Sequence, residues 1–136
     1  THMDFDLGLA REQSQKNPVY YLKYAHARIA GILSKAEKNQ GRADLSKLTH
    51  QAELSLIRDL SEFPNVIEET AKDYQIQRIA HYALDLADTF HKFYEQCQVN
   101  TEPKSLAAAR LKLVEATKVV LGNIGDTLGI EMPERM

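Results

Sequence analysis

The sequence is poor in the residues that cross-link or interrupt a chain: it has one cysteine, no tryptophan, four prolines and six glycines among 136 residues. The single Cys97 cannot form an internal disulfide or a cysteine-rich zinc site, which indicates a reducing compartment, and we expect the cytoplasm. So few glycines and prolines argue against an all-β fold with many tight turns. No apolar run approaches the ~18 residues of a membrane span, and no signal-peptide pattern opens the chain, so we expect no membrane partner.

Length and composition fit one globular domain with a single core, since 43% of the 136 residues are hydrophobic and 26% are charged. The net charge of −2 gives no bulk attraction for a nucleic acid. The charges are unevenly spread: residues 16–42 carry six bases and one acid, whereas residues 44–73 carry three bases and seven acids. A near-neutral protein can concentrate positive potential on one face, although a solvated basic face is the simpler interpretation of this stretch alone.

Apolar residues recur every three or four positions along most of the chain, which predicts an all-α bundle of three long and two short helices. The predicted long helices cover residues 18 to about 39, 76–97 and 104–128, and the short ones cover residues 51–61 and 64–72. Asn17-Pro18 suits the start of the first helix, and Asn39 or Gly41 suits the left-handed residue that ends it. Phe63-Pro64 separates the two short helices.

The ends of the chain are less regular. Residues 1–3, Thr-His-Met, look like the remnant of a cleaved expression tag and are left out of the argument. Residues 4–17 are polar and show no sustained period. Gly122 and Gly125 each cost a helix up to ~1 kcal/mol relative to alanine, so we expect the last helix to bend or fray there. Residues 129–136 contain a proline and are predicted to be irregular.

A second stripe accompanies the apolar one on the first long helix. At 100° per residue, Tyr21, Tyr24, Arg28 and Lys35 fall within a band of about 60°. Phenol rings can stack on unpaired bases while arginine and lysine hold phosphates, so this is the composition of a platform for single-stranded nucleic acid. The alternative is that both tyrosines border the core with their hydroxyl groups in water.

Polar side chains on the fourth predicted helix suggest a metal ion at first sight. His81, Asp85, Asp88 and His91 fall on the face opposite the apolar stripe, at spacings that let an imidazole meet a carboxylate. Four ligands on one straight helix cannot surround a metal tetrahedrally, so we interpret this face as solvated and predict no metal site.

The remaining candidates for chemistry are isolated. His26 lies at the edge of the apolar stripe and is expected to be a hydrogen-bonded border residue. Cys97 falls on the buried stripe as a small core residue without a histidine to activate it. No glycine-rich phosphate loop, no Ser-His-Asp arrangement and no paired carboxylates are present. The sequence therefore predicts no catalytic residue.

Several stretches closely resemble the C-terminal, anticodon-binding domain of arginyl-tRNA synthetases, the all-helical domain often called DALR. They are Asn-Pro-Val-Tyr-Tyr-Leu-Lys-Tyr-Ala-His-Ala-Arg-Ile at 17–29, Phe-Tyr-Glu-Gln-Cys at 93–97, Ala-Arg-Leu at 109–111, and Leu-Gly-Ile at 128–130 leading to Pro-Glu-Arg-Met at 133–136. Asp-Phe-Asp-Leu at 4–7 resembles the last segment before this domain in the bacterial enzymes. One departure concerns the last helix, where the family commonly has Asn-Gly-Leu and this chain has Asn123-Ile124-Gly125; it leaves the path of the C-terminal tail open.

The resemblance implies a fragment of arginine–tRNA ligase. Residues 18–136 form the helical anticodon-binding domain, and residues 4–17 are the end of the upstream catalytic domain or a linker, expected to pack poorly without it. The family's class I catalytic domain holds the ATP motifs of the His-Ile-Gly-His and Lys-Met-Ser-Lys types, which are absent from this sequence. ATP and Mg²⁺ thus belong to the full-length enzyme, and this fragment is expected to need no cofactor.

The resemblance also assigns binding residues. It implies that Tyr21, Tyr24 and Arg28 face the anticodon loop of an arginine tRNA, and that Tyr94 and the terminal Met136 help enclose the central anticodon cytosine. Together with Lys35 these are the predicted tRNA-binding residues. We expect them to surround one partly exposed hollow, which requires the first and fourth helices to be neighbours and the tail to fold back after residue 129.

The expected partners are the arginine tRNA anticodon loop and the enzyme's own catalytic domain, with no DNA and no membrane, and the fragment is expected to be a monomer. A helical protein–protein interaction module is the alternative, in which the Tyr21 and Tyr24 face docks a partner helix or the catalytic domain. Salt separates the two, because binding to RNA weakens steeply with ionic strength and a largely apolar interface does not. A free-standing helical enzyme has no arrangement of residues to support it.

Overall fold

Five α-helices and one 3₁₀ turn make up the computed structural model, which describes residues 4–36, 41–101 and 103–136 and contains no strand in those ranges. The helices are α1 (Leu7–Arg11), α2 (Pro18–Lys35), α3 (Gln51–Asp73), α4 (Gln77–Gln96) and α5 (Lys104–Leu128), and the 3₁₀ turn is Leu45–Lys47. The predicted all-α class is confirmed. Four of the helices are long and one is short, rather than three and two.

The start of α2 follows from its local sequence. The Asn17 side chain accepts hydrogen bonds from the backbone N–H groups of Val19 and Tyr20, and Pro18 fills the first turn, where an N–H has no helical partner. The helix ends at Lys35, earlier than predicted, because its buried stripe is exhausted there and Ala36 is extended. Gly41 has a φ of 76° but lies beyond that end, so it does not cap α2. The predicted end at Asn39 lies outside the described residues.

The prediction of two short helices broken at Pro64 is wrong, because α3 is one helix from Gln51 to Asp73. A buried stripe at three- and four-residue steps crosses the proline without a change of phase, through Leu56, Val66 and Thr70. Pro64 itself is exposed, and its missing N–H leaves the Leu60 carbonyl without its helical donor. Burial on both sides of the proline therefore outweighs its local cost.

A tyrosine of α4 supports α3 next to that proline. The Tyr82 hydroxyl donates to the Asp59 carbonyl at 2.7 Å, and the Tyr82 ring stacks on Phe63 with centroids 5.9 Å apart. Burial is the main reason that the pKa of Tyr82 lies above its usual value, and nearby Asp59 raises it further. The contact joins the two helices at the point where the α3 hydrogen-bond ladder is incomplete.

The core lies where α2, α3, α4 and α5 meet. α3 packs on α4 and α5, and α2 packs on α5 and α4. The largest fully buried side chains include Phe90 and Phe93 of α4 and Leu121 of α5. Ile76, predicted to open the buried stripe of α4, is 61% exposed and precedes that helix. Glu53, only 1% exposed, is paired with Arg110 at 2.6 Å and joins α3 to α5.

The last helix continues through Gly122 and Gly125, where bending or fraying was expected, and ends at Gly129 with a left-handed φ of 69°. The Ile130 N–H returns to the Gly125 carbonyl at 2.8 Å, which is the closing bond of a glycine-terminated helix. A Cβ on Gly125 would lie 2.7 Å from the Ile130 carbonyl oxygen. Gly125 is therefore needed for the close approach of the tail, and residues 130–136 are irregular as predicted.

The first described residues have little contact with the bundle. α1 buries no residue, and Phe5 is 81% exposed. This confirms the predicted poor packing, although a short helix forms where no period was found. In the described part of the chain, no helix is long and apolar enough to cross a membrane.

Candidate nucleic-acid interface

Aromatic side chains from α2 and α4 form one surface on the outside of the bundle. We call it the aromatic face and define it as Tyr21, Tyr24 and Arg28 of α2 with Asp88, His91 and Tyr94 of α4. The two helices pack against each other, so residues about 70 positions apart become neighbours. The predicted adjacency of the first and fourth helices is confirmed.

His91 occupies the space between the two tyrosines. Its ring centroid lies 5.3 Å from that of Tyr21 and 6.4 Å from that of Tyr24, and both pairs are tilted. These distances are typical of attractive aromatic contacts. Tyr24 is 36% exposed, so part of its ring is open to a ligand.

Arg28 lies against Tyr94 at the next turn of the same face. Its guanidinium carbon is 4.7 Å from the Tyr94 ring centroid, which is the geometry of a cation–π contact. Tyr94 in turn stacks on the fully buried Phe90, with centroids 6.2 Å apart. The charge of Arg28 is thus held by a ring that rests on the core, and in the described ranges no carboxylate pairs with it.

Tyr21 is joined to α4 through its hydroxyl group, which donates to Asp88 Oδ1 at 2.6 Å. Burial raises the pKa of Tyr21 above its usual value, and the hydrogen bond to Asp88 and the negative charges of Asp88 and Glu95 raise it further. Tyr21 therefore stays a neutral phenol whose proton points at a carboxylate.

The assignment of His91 to a solvated face is wrong. His81, Asp85 and Asp88 are exposed as predicted, but His91 is half-buried and its Nε2 atom is buried with no hydrogen-bond partner. Burial lowers the pKa of His91, and the Arg28 guanidinium lowers it further, whereas Asp88 and Glu95 oppose the shift. The apolar stripe of α4 alone could not show that α2 also covers this side. The described residues contain no group of histidine, cysteine and carboxylate side chains suited to a metal ion.

A hollow of about 730 Å³ adjoins the aromatic face at the end of α2. Its lining includes Arg28, Lys35, Tyr94 and the segment Gln98–Asn100. Arg28 is among its lining residues, and Lys35, also in the lining, is exposed. Tyr21, Tyr24 and Met136, which were also expected around the hollow, are not among the described residues that line it.

The tail folds back after Gly129, as predicted, but along a different side of α2. The Pro133 carbonyl lies 2.9 Å from His26 Nδ1, and Lys118 Nζ is 2.7 Å from Glu134 Oε2. His26 is only 4% exposed and so is a buried residue rather than a border one, although it is hydrogen-bonded as expected. At 100° per residue it lies about 200° around α2 from Tyr24. Met136 is 56% exposed.

Sequence reasoning found Tyr21, Tyr24, Arg28 and Tyr94 but missed that Asp88 and His91 belong with them. A signal was available step by step: His91 lies three residues before Tyr94 and Asp88 three before His91, so each shares a side of α4 with the next, although Asp88 and Tyr94 are about 120° apart. It could be used only once α2 was known to pack on that side.

Comparison with known proteins identifies the family of the chain. The family model of the DALR anticodon binding domain matches residues 22–136, and the chain belongs to that family. It is 45% identical to an arginine–tRNA ligase of Heliobacterium modesticaldum, covering 99% of this chain and 26% of that protein. It is 42% identical to one of Dehalococcoides mccartyi, covering 100% of this chain and 25% of that protein.

A solved structure is similar as well. Thermus thermophilus arginyl-tRNA synthetase matches with a TM-score of 0.77 and 36% identity, covering 85% of this chain and 21% of that one. The chain spans about a quarter of the length of the curated relatives named above and is homologous to the C-terminal part of arginine–tRNA ligase. The resemblance inferred from the motifs is thereby confirmed.

Proposed function

We propose that the aromatic face binds the anticodon loop of an arginine tRNA, as part of an arginine–tRNA ligase. The observation that carries the proposal is the line of tyrosines crossing from α2 to α4, with Arg28 held on Tyr94 at 4.7 Å. Unstacked bases can lie on the exposed tyrosine surface, and Arg28 and Lys35 can hold the phosphates between them.

The domain would act by position rather than by chemistry. We propose that residues 18–136 hold the anticodon so that the acceptor end reaches a class I catalytic domain upstream, with residues 4–17 as the connection. ATP and Mg²⁺ would be bound by that domain, and no residue of this segment would be catalytic. The exposed Phe5 and Leu7 of this connection would contact that domain. Such a function is exercised in the cytoplasm.

Only the resemblance supports a role for Met136 in tRNA binding. Met136 follows the anchored Pro133 by three residues, which span at most about 11 Å, so a bound loop would have to come within that distance of the tail. The exposed thioether of Met136 would then contact a base of the bound loop.

Titration of the chain with an arginine tRNA anticodon stem-loop tests the proposal. We expect Tyr24→Ala to lose ~1–3 kcal/mol of binding free energy, because a stacking surface is removed. Tyr74→Ala is the matched control: Tyr74 is 83% exposed and lies between α3 and α4, outside the aromatic face. Fluorescence anisotropy measures both variants.

Three results would contradict the proposal. An equal loss of binding free energy in Tyr24→Ala and Tyr74→Ala would mean that exposed tyrosines bind RNA nonspecifically, wherever they lie on the surface. Affinity that does not fall as salt is raised would favour the alternative, a helical protein–protein interaction module. Equal binding of a stem-loop whose central cytosine is replaced would leave only a general basic surface.

A further inference from the structure

One residue of the aromatic face does not suit a surface that merely attracts RNA. Asp88 is exposed and negatively charged, and it lies beside Tyr21 and within electrostatic reach of His91. In the described ranges no lysine or arginine forms an ion pair with it. Its one hydrogen bond there is the 2.6 Å contact from the Tyr21 hydroxyl to Oδ1. Oδ2 is therefore an acceptor that the fold does not use.

The carboxylate lies at the edge of a stacking surface. The bond to Asp88 runs through the phenolic hydroxyl of Tyr21, so the carboxylate is beside the ring rather than above or below it. His91, one turn further along α4, contacts the rings of both Tyr21 and Tyr24. A base lying on the exposed part of these rings would present its edge, not its face, to Asp88.

The chemistry of a carboxylate limits what it can meet there. An ionised carboxylate only accepts hydrogen bonds, and it repels phosphates. The groups of an RNA that it can hold are donors, and on a base edge the exocyclic amine of cytosine is a good partner for aspartate. Uracil has nearly the same shape but presents a carbonyl oxygen at that position, which the carboxylate would repel.

We propose that Asp88 reads the exocyclic amine of a cytosine stacked on the tyrosines of the aromatic face, and so selects cytosine over uracil at one position of the loop. The inference rests on the proposed function and adds a specificity-determining residue to it. Tyr21 has a positioning role, because its hydroxyl holds one carboxylate oxygen and leaves the other directed to the ligand.

The experiment compares Asp88→Asn with a charge-matched control. Asparagine keeps an oxygen that accepts from Tyr21, but its amide also offers donors that suit uracil. Asp85→Asn removes the same charge from an exposed residue one turn earlier on α4. Each protein is titrated, at one salt concentration, with an arginine tRNA anticodon stem-loop and with loops in which each cytosine is replaced by uracil, one at a time.

We expect the parent chain to prefer cytosine over uracil at one position by about 5- to 150-fold, the range of a good base contact. Asp88→Asn should lose most of this preference or reverse it, and Asp85→Asn should keep it. Asp88→Ala, which has neither acceptor nor donor, should lose the preference without reversing it. Since Asp88 is exposed, thermal melts of the three variants should match the parent.

Three outcomes would overturn the inference. If Asp88→Asn tightens binding to every loop as much as Asp85→Asn does, the carboxylate only repels phosphates. If it weakens the cytosine and uracil loops by the same factor, the carboxylate holds a ribose or positions Tyr21. If the parent binds no stem-loop, the proposed function fails and this inference fails with it, whereas binding with an unchanged preference in Asp88→Asn overturns this inference alone.

Discussion

Two arginines, Arg78 on α4 and Arg28 on the neighbouring α2, have opposite surroundings. Arg78, at the start of α4, is 2.6 Å from Asp73 and 3.8 Å from Glu69, both of α3. Arg28 lies on the ring of Tyr94 and pairs with no carboxylate in the described ranges. The acidic α3 sequence neutralises one cation, whereas an aromatic ring holds the other and leaves its charge available. The two ends of α4 therefore differ in function: the arginine at one end is neutralised, and the arginine beside the other end has its charge available.

The largest expected effect concerns the support of the aromatic face. Phe90→Ala should destabilise the fold by ~3–5 kcal/mol, because Phe90 is fully buried and carries Tyr94 on its ring. Ile76→Ala, at the Arg78 end, changes a side chain that is 61% exposed and should cost less than about 0.5 kcal/mol. Urea unfolding measures both, and similar losses would mean that the two ends do not differ in their connection to the core.

The second effect concerns the two charges themselves. Arg28→Ala should weaken binding of the stem-loop to the same extent for every loop sequence, because a phosphate contact carries no sequence information. The slope of log K against log salt should become shallower by about 0.7–1. Arg78→Ala removes an equal formal charge that is already neutralised, so its salt slope should equal that of the parent. Equal salt slopes for the two variants would mean that the charges of Arg28 and Arg78 are equally available to RNA.

The smallest effect is a pH dependence confined to the aromatic face. Because the pKa of His91 is lowered in the folded state, the unfolded chain binds more protons below the usual histidine pKa of about 6.5. Stability from this residue is therefore fully present above pH ~6.5 and is lost as the pH falls below that value toward the lowered pKa. His91→Phe keeps a ring between the tyrosines and removes the titration.

Urea melts at pH 7.5 and 5.5 check this, with His81→Phe as the control, since His81 is exposed at the other end of α4. The parent and His81→Phe should lose more stability on acidification than His91→Phe does. If all three lose the same amount, His91 titrates as a free histidine and does not support the tyrosines.

Features encoded locally could be predicted from the sequence. Asn17 and Pro18 fix the start of α2 through bonds within a few residues, and the buried periods of α4 and α5 locate those helices. The face that carries Tyr21, Tyr24 and Arg28 also followed from the spacing of residues on one helix. Each of these depends on contacts close along the chain.

Features that depend on distant packing could not be predicted in the same way. Pro64 has a local cost, but the burial that outweighs it comes from α4 and α5. His91 is enclosed by a helix some 70 residues earlier. The tail is directed by Gly125 and His26, whose roles become visible only when the tail lies against them.

The proline inside α3 has a consequence for hydrogen exchange. Pro64 has no amide proton to give to the Leu60 carbonyl, so the ladder of α3 lacks one hydrogen bond at that point. Amide protons on the two sides of this gap should therefore exchange through separate local openings rather than one opening of the whole helix. The Tyr82 hydroxyl donates to the Asp59 carbonyl at 2.7 Å and so joins α4 to α3 one residue before the Leu60 carbonyl. Packing of α4 on this part of α3 should therefore slow the local opening near Pro64.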